Sequence, residues 1–180
     1  MKVCLDNDIP LNNGDTSIKI KYDEAMFLNA VEKISDDIKK NFSGLDIGLI
    51  GLARGALPLT VAVSHYLDIR DISVVQIKMT NSDKQWDYGD AVWSNGYIND
   101  CKDGYIIFED MVSHGRTVNM LVNELTKQNK KVLAIYTLFL NSDMKKLSLE
   151  NEYMDIKYVN IINQNQWVNF FWELGYLDKK

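Results

Sequence analysis

Residues 106–117 run Ile106-Ile107-Phe108-Glu109-Asp110-Met111-Val112-Ser113-His114-Gly115-Arg116-Thr117. Tyr105 to Phe108 is a short, continuously apolar run, the pattern of a strand covered on both faces. Val118, Leu121, Val122 and Leu125 then recur at helical spacing, which predicts a helix opening just after Gly115. The loop between the two presents backbone N–H groups and the positive end of a helix dipole to an anion, with Ser113, Arg116 and Thr117 as side-chain donors. A monophosphate fits that description. Glu109 and Asp110 would repel a phosphate set directly against them, whereas sugar hydroxyls or a hydrated divalent cation suit them. The stretch therefore asks for a ligand that combines phosphate, polyol and metal. The bland alternative is an acidic pair that only caps the next helix.

Working outward, Asp46 to Ala53 (DIGLIGLA) is a second buried-strand pattern, followed at once by Arg54-Gly55-Ala56-Leu57-Pro58. Pro58 and the apolar spacing beyond it predict a helix to Leu67, and Ile72 to Ile77 a further strand. Residues 79–103 are polar and rich in Asn, Asp, Ser and Gly, long enough to suggest a functional flap rather than an ordinary connection. Upstream, Phe27, Ala30, Val31, Ile34 and Ile38 give a helix that Asp23 can cap, ending near Asn41 to Gly44. The first 20 residues read as an irregular arm closing in an alternating stretch, Ser17 to Tyr22. Downstream, Lys131 to Leu140 and Ile156 to Ile162 read as strands. Strands alternating with helices imply right-handed crossovers and an α/β fold, a parallel sheet with helices on both faces. Ligands in such sheets bind beyond the carboxyl ends of the strands.

Composition agrees with one globular domain: 180 residues, 46% hydrophobic and 25% charged. With 25 acidic against 20 basic residues the net charge is -5, so a nucleic-acid surface would oppose the mean field, and a small-molecule substrate is expected instead. Cys4 and Cys101 are the two cysteines. Their separation gives neither a disulfide framework nor a cysteine zinc site and fits a reducing interior. No apolar run is long enough for a membrane span, and MKVCLDNDIP is unlike a secretion signal. The expectation is a cytoplasmic protein with no nucleic-acid or membrane partner.

The stretch EDMVSHGRT (109–117) resembles the signature of type I phosphoribosyltransferases, which use 5-phosphoribosyl 1-pyrophosphate (PRPP) and often read EDIIDTGKT there. Gly51-Leu52-Ala53-Arg54-Gly55-Ala56-Leu57-Pro58 resembles their pyrophosphate loop, often ARGGLPLA, and Ala53-Arg54 matches the position of a cis peptide in that family. Gln166-Trp167-Val168-Asn169-Phe170-Phe171-Trp172-Glu173-Leu174-Gly175 is similar to the WIxxPWxxG segment of bacterial xanthine–guanine phosphoribosyltransferases. The three segments stand in family order over residues 46–175. The resemblance implies a single domain over 1–180, with a core at about 23–163, a long flexible flap, and a small C-terminal hood made from the N-terminal arm and about 164–180.

It also implies roles. Ala53, Arg54 and Gly55 would meet pyrophosphate, and Ser113, His114, Gly115, Arg116 and Thr117 the 5'-phosphate. Glu109 and Asp110 would hold ribose hydroxyls and Mg2+, with Glu173 as a further metal neighbour. Trp167 would stack on a purine-like base that the Val168 backbone reads. Ser113 stands where purine members carry a proton-accepting Asp and His114 where they carry Thr. Thr137-Leu138-Phe139-Leu140 occupies the place of a lysine directed at the 6-oxo group. Glu109, Asp110, Ser113 and His114 are thus the candidate catalytic residues. The implied activity is magnesium-dependent phosphoribosyl transfer by a homodimer or homotetramer, and the rival reading is a catalytically weak PRPP- or nucleotide-binding regulator.

Overall fold

The computed structural model describes residues 2–5, 19–79, 91–100, 102–141, 156–163 and 166–173. Among these residues nine strands and three helices follow one another as β1 (Lys2–Cys4), β2 (Lys19–Tyr22), α1 (Glu24–Phe42), β3 (Ile47–Ala53), α2 (Leu57–Leu67), β4 (Ile72–Met79), β5 (Ala91–Gly96), β6 (Gly104–Val112), α3 (Arg116–Lys127), β7 (Val132–Asn141), β8 (Ile156–Ile162) and β9 (Trp167–Phe170). A 3-10 turn, Phe171–Glu173, closes the described chain.

Seven strands form one sheet in the order β1-β8-β7-β6-β3-β4-β5. Every pairing is parallel except β4 with β5. The connection from β3 through α2 steps to β4 on one side, and that from β6 through α3 steps to β7 on the other. Right-handed crossovers in opposite directions place α2 and α3 on opposite faces, and α1 packs beside α2. The central strands are buried almost end to end, Leu49, Ile50, Ile106, Ile107, Phe108, Ala134, Ile135 and Tyr136 having no exposure at all. This explains their lack of polar alternation.

Local signals place the helices. The Asp23 side chain accepts from the Met26 N–H at 2.9 Å, capping α1, whose stripe Phe27, Ala30, Val31, Ile34 and Ile38 is buried. Asp37 on the same helix accepts from Tyr136 Oη and from Lys157 Nζ, each at 2.5 Å, which ties α1 to β7 and β8. Pro58 lies in the first turn of α2, where its missing N–H costs nothing.

Two expectations are corrected. The N-terminal arm is not wholly irregular: Lys2–Cys4 pairs with Ile156, Lys157 and Tyr158 as an edge strand of the main sheet, outside the hood. Three residues without apolar alternation carry no strand signal of their own, so only the pairing partner specifies them. The segment 79–103, read as a flap, contains β5, paired antiparallel to β4, and its residues 80–90 and 101 lie outside the described residues. Second, β6 does not stop at Phe108 but continues through Glu109 and Asp110 to Val112. Its hydrogen-bond partner β7 is long enough to carry the ladder on, with Glu109 opposite Thr137 and Met111 opposite Phe139.

Candidate active site at the switch between β3 and β6

Strands β3 and β6 are neighbours whose onward connections diverge, which opens a crevice between their carboxyl ends. The register sets Gly51 opposite Phe108, so Ala53-Arg54-Gly55 and Glu109-Asp110 emerge side by side. The Ala53–Arg54 peptide is cis, as the resemblance implies. A Cβ at Gly55 would stand 1.9 Å from Asp110 Oδ2 and 2.4 Å from its Cγ. The first loop thus lies directly against the second carboxylate, and only a glycine permits that approach.

Both carboxyl groups are held by their own backbone. Glu109 Oε1 accepts from the Asp110 N–H at 3.2 Å, and Asp110 Oδ1 from the Met111 N–H at 2.8 Å. Burial pushes Glu109 well above the usual carboxylate range, and the neighbouring Asp110 charge pushes it further. Burial raises Asp110 as well, against the lowering effect of its hydrogen bonds. A pair of acids in that condition is short of positive charge, and a cation or a set of hydroxyl donors would complete it.

The loop beyond has the geometry expected of an anion cradle. Gly115 takes φ +71° at the N-cap of α3, a left-handed turn that exposes the helix's first N–H groups without a side-chain cap. Glu109, Met111, Val112, Ser113, His114, Gly115, Arg116, Thr117 and Val118 line a cleft of about 170 Å³ there. Arg116 is exposed, while Ser113, His114 and Thr117 are half-buried. Ser113 Oγ and His114 Nδ1 are 2.9 Å apart. The apolar members Met111, Val112 and Val118 were not among the expected site residues, since nothing in their type distinguishes them from core.

Glu173, near the far end of the chain, feels the charges of this crevice. Burial raises its carboxyl, as does the Asp110 charge, while the Phe170 N–H (3.4 Å) and Arg54 oppose the rise. It therefore lies within electrostatic reach of both strand-end motifs. Among the described residues no group of three His, Cys, Asp or Glu side chains is arranged to hold a metal ion. Mg2+ needs no such cage, because it keeps several waters and uses one or two carboxylates plus substrate oxygens. The Glu109–Asp110 pair fits that demand.

The C-terminal aromatics divide between two tasks. Strand β9 pairs parallel with β2, setting Trp167 opposite Lys19 and Val168 opposite Ile20. Val168 and Phe170 are buried, and Phe170 stacks on Trp172 at 4.6 Å between centroids while Tyr22 meets Phe139 edge-on at 5.1 Å. Trp167 faces the other way and is 38% exposed. Among the described residues of this aromatic segment, Trp167 is the most exposed ring. At the end of β7, Thr137 to Leu140 are buried, and the Thr137 hydroxyl donates to the Phe139 carbonyl. No lysine stands on that strand.

Solved structures share this architecture at low identity. A purine phosphoribosyltransferase from Pyrococcus horikoshii Ot3 aligns with TM-score 0.66 and 22% identity, over 86% of this chain and 93% of its own. The xanthine-guanine-hypoxanthine phosphoribosyltransferase of Helicobacter pylori aligns with TM-score 0.68 and 17% identity, over 91% of this chain and 100% of its own. A hypothetical protein from Neisseria gonorrhoeae with bound ppGpp aligns with TM-score 0.65 and 14% identity, over 90% and 94%. No curated protein matches the chain in sequence. The phosphoribosyl transferase domain model matches residues 21–179, nearly the whole length that carries the crevice and its two motifs, and the chain belongs to that family.

Proposed function

We propose that this protein transfers a 5-phosphoribosyl group from PRPP to a purine-like base, in a magnesium-dependent reaction that gives a nucleoside 5'-monophosphate and pyrophosphate. The observation that carries the reading is the contact between Gly55 and Asp110. It sets a loop suited to pyrophosphate beside carboxylates suited to ribose and a cation, with the Gly115 anion cradle next along the chain. The whole chain acts as one unit, its core at about 23–163 holding PRPP and its hood covering the base.

In this reading Ala53, Arg54 and Gly55 hold the leaving pyrophosphate, Arg54 contributing its charge. The backbone of Ser113 to Thr117 grips the 5'-phosphate, helped by the Thr117 hydroxyl and Arg116. Glu109 and Asp110 fix the ribose hydroxyls and hold Mg2+, with Glu173 near enough to engage it through water. When bound, Mg2+ neutralises charge developing on pyrophosphate as the ribose becomes cation-like. Trp167 offers the base a stacking face and the Val168 backbone its edge. Ser113 and His114 occupy the place where a proton must leave the base. No helix among the described residues is long and apolar enough to cross a membrane. The enzyme we propose is cytoplasmic, and a homodimer or homotetramer is its expected state.

Base-dependent release of pyrophosphate from PRPP and Mg2+, measured across hypoxanthine, guanine, xanthine and adenine, tests this function. Formation of the matching nucleotide supports it, and pyrophosphate release independent of every base contradicts it. A second reading is favoured by the fold neighbour with bound ppGpp: a regulator that binds PRPP or a guanine nucleotide with little turnover. Tight ppGpp binding by a protein that makes no nucleotide from any of the bases would select it.

A further inference from the structure

The cradle carries one hydrogen bond that gripping a phosphate does not require. Ser113 Oγ and His114 Nδ1 are 2.9 Å apart, both half-buried on the wall of the cleft that follows β6. A serine hydroxyl alone is a feeble base. Bonded to a neutral imidazole that carries its proton on Nε2, it becomes one end of a relay, because Nδ1 accepts the hydroxyl proton while Oγ offers a lone pair to an incoming N–H. Among the described residues, the other ionisable groups lining this cleft are Glu109 and Arg116. Arg116 has no lone pair to offer. Glu109 sits half-buried beside Asp110 and is engaged with ribose and cation in the function proposed above.

His114 precedes the N-terminus of α3, whose dipole opposes an added positive charge. A ribose phosphate seated there reverses that field, so an imidazolium becomes tolerable once the substrate is in place.

We infer that Ser113 is the catalytic residue that takes the proton from the base, and that His114 is the positioning residue that orients the hydroxyl and receives its proton. The inference rests on the phosphoribosyl transfer proposed above. One ring nitrogen of the base supplies the electron pair for the new bond to the anomeric carbon, while the C–O bond to pyrophosphate breaks with its electrons going to the leaving group. The N–H bond elsewhere in the ring breaks, and its electron pair stays in the ring and cancels the incoming positive charge. That proton forms a bond to Ser113 Oγ, the original Oγ–H proton passes to His114 Nδ1, and the histidine ends as imidazolium.

The test compares wild type, Ser113→Ala, His114→Asn and His114→Ala with PRPP, Mg2+ and each of hypoxanthine, guanine, xanthine and adenine. Asparagine keeps a hydrogen-bonding atom beside Ser113 but takes no proton. The expected result is a kcat lower by about 10²-fold in His114→Asn and Ser113→Ala, the scale of lost general-base catalysis, with KM for PRPP changed less than about two-fold. Free imidazole should restore turnover to His114→Ala, which a merely structural role would not allow. In the wild type, nitrogen-15 NMR should show His114 Nδ1 without a proton, and Ser113→Ala should shift that resonance. Wild-type kcat in His114→Asn, or a loss confined to KM, overturns the relay and leaves phosphoribosyl transfer standing. A proton resident on His114 Nδ1 overturns it whatever the activity. No nucleotide from the wild type with any base removes the proposed function and the relay together.

Discussion

Gly55 and Asp110 lie so close that a single added methyl group would stand 1.9 Å from the Asp110 carboxylate. They are 55 positions apart in sequence and come together because β3 and β6 are adjacent at the point where the sheet's connections reverse. Their proximity couples the loop assigned to pyrophosphate to the carboxylate assigned to ribose and cation.

Gly55→Ala should therefore act through Asp110. A Cβ there forces the carboxylate or the loop aside, so we expect PRPP binding in the presence of Mg2+ to weaken by about ten-fold or more. In an Asp110→Ala background the same substitution should cost much less, because the obstructing group is gone. Calorimetry on the four proteins of this cycle gives the coupling directly. Additive losses would mean that the two sites bind independently.

The raised Glu109 carboxyl predicts how the ligand-free protein responds to pH. An unfolded glutamate titrates near about 4.3, and the folded Glu109 well above its ordinary range. Between those two values the folded state holds the extra proton, so stability declines as pH rises through the window and levels off above the folded value. Glu109→Gln removes the titration. Its melting temperature should fall less than that of the wild type as pH rises above the ordinary carboxylate range, and parallel curves for the two proteins would contradict the assignment.

How far the sequence spoke depends on the kind of signal. The strands around Leu49 and Ile106 were readable because burial on both faces leaves a continuous apolar run, and α1 because Phe27 to Ile38 keeps a helical period above an Asp23 cap. Glu109 and Asp110 stood out as charges interrupting such a run. Less legible was where β6 ends, since that depends on hydrogen bonds to β7 rather than on residue type. Strand β1 was invisible for the same reason. The placement of Glu173 near Asp110 and Arg54 came only from resemblance, because nothing local in a C-terminal turn encodes which strand end it will face.

The tie between α1 and the sheet is a second place where removal and replacement should differ. Lys157 is 6% exposed and its ammonium bonds Asp37. Asp37→Ala leaves that buried charge without its carboxylate and should destabilise the fold by about 3–5 kcal/mol. Asp37→Leu combined with Lys157→Met removes both charges and should recover most of the loss. Chemical denaturation of the three proteins checks this, and a double variant as unstable as Asp37→Ala would mean that packing rather than charge governs the site.

Trp167 and Trp172 are five residues apart and should respond to the same substitution in opposite ways. Trp172 lies within the Tyr22, Phe27 and Phe170 aromatic cluster, so Trp172→Ala should destabilise the fold by about 3–5 kcal/mol through the cavity it leaves. Trp167 is 38% exposed on the other side of β9, and its removal should change the melting temperature little. If its open face receives the base, Trp167→Ala should weaken nucleoside monophosphate binding by about 1–3 kcal/mol, the range for stacking an aromatic side chain on a base. Ribose 5-phosphate, which has no base to stack, should bind both proteins alike. The deciding quantity is the difference between those two losses, measured by calorimetry on one preparation of each protein. Equal losses for the two ligands would make Trp167 a support of the hood and would leave the base platform to be sought elsewhere.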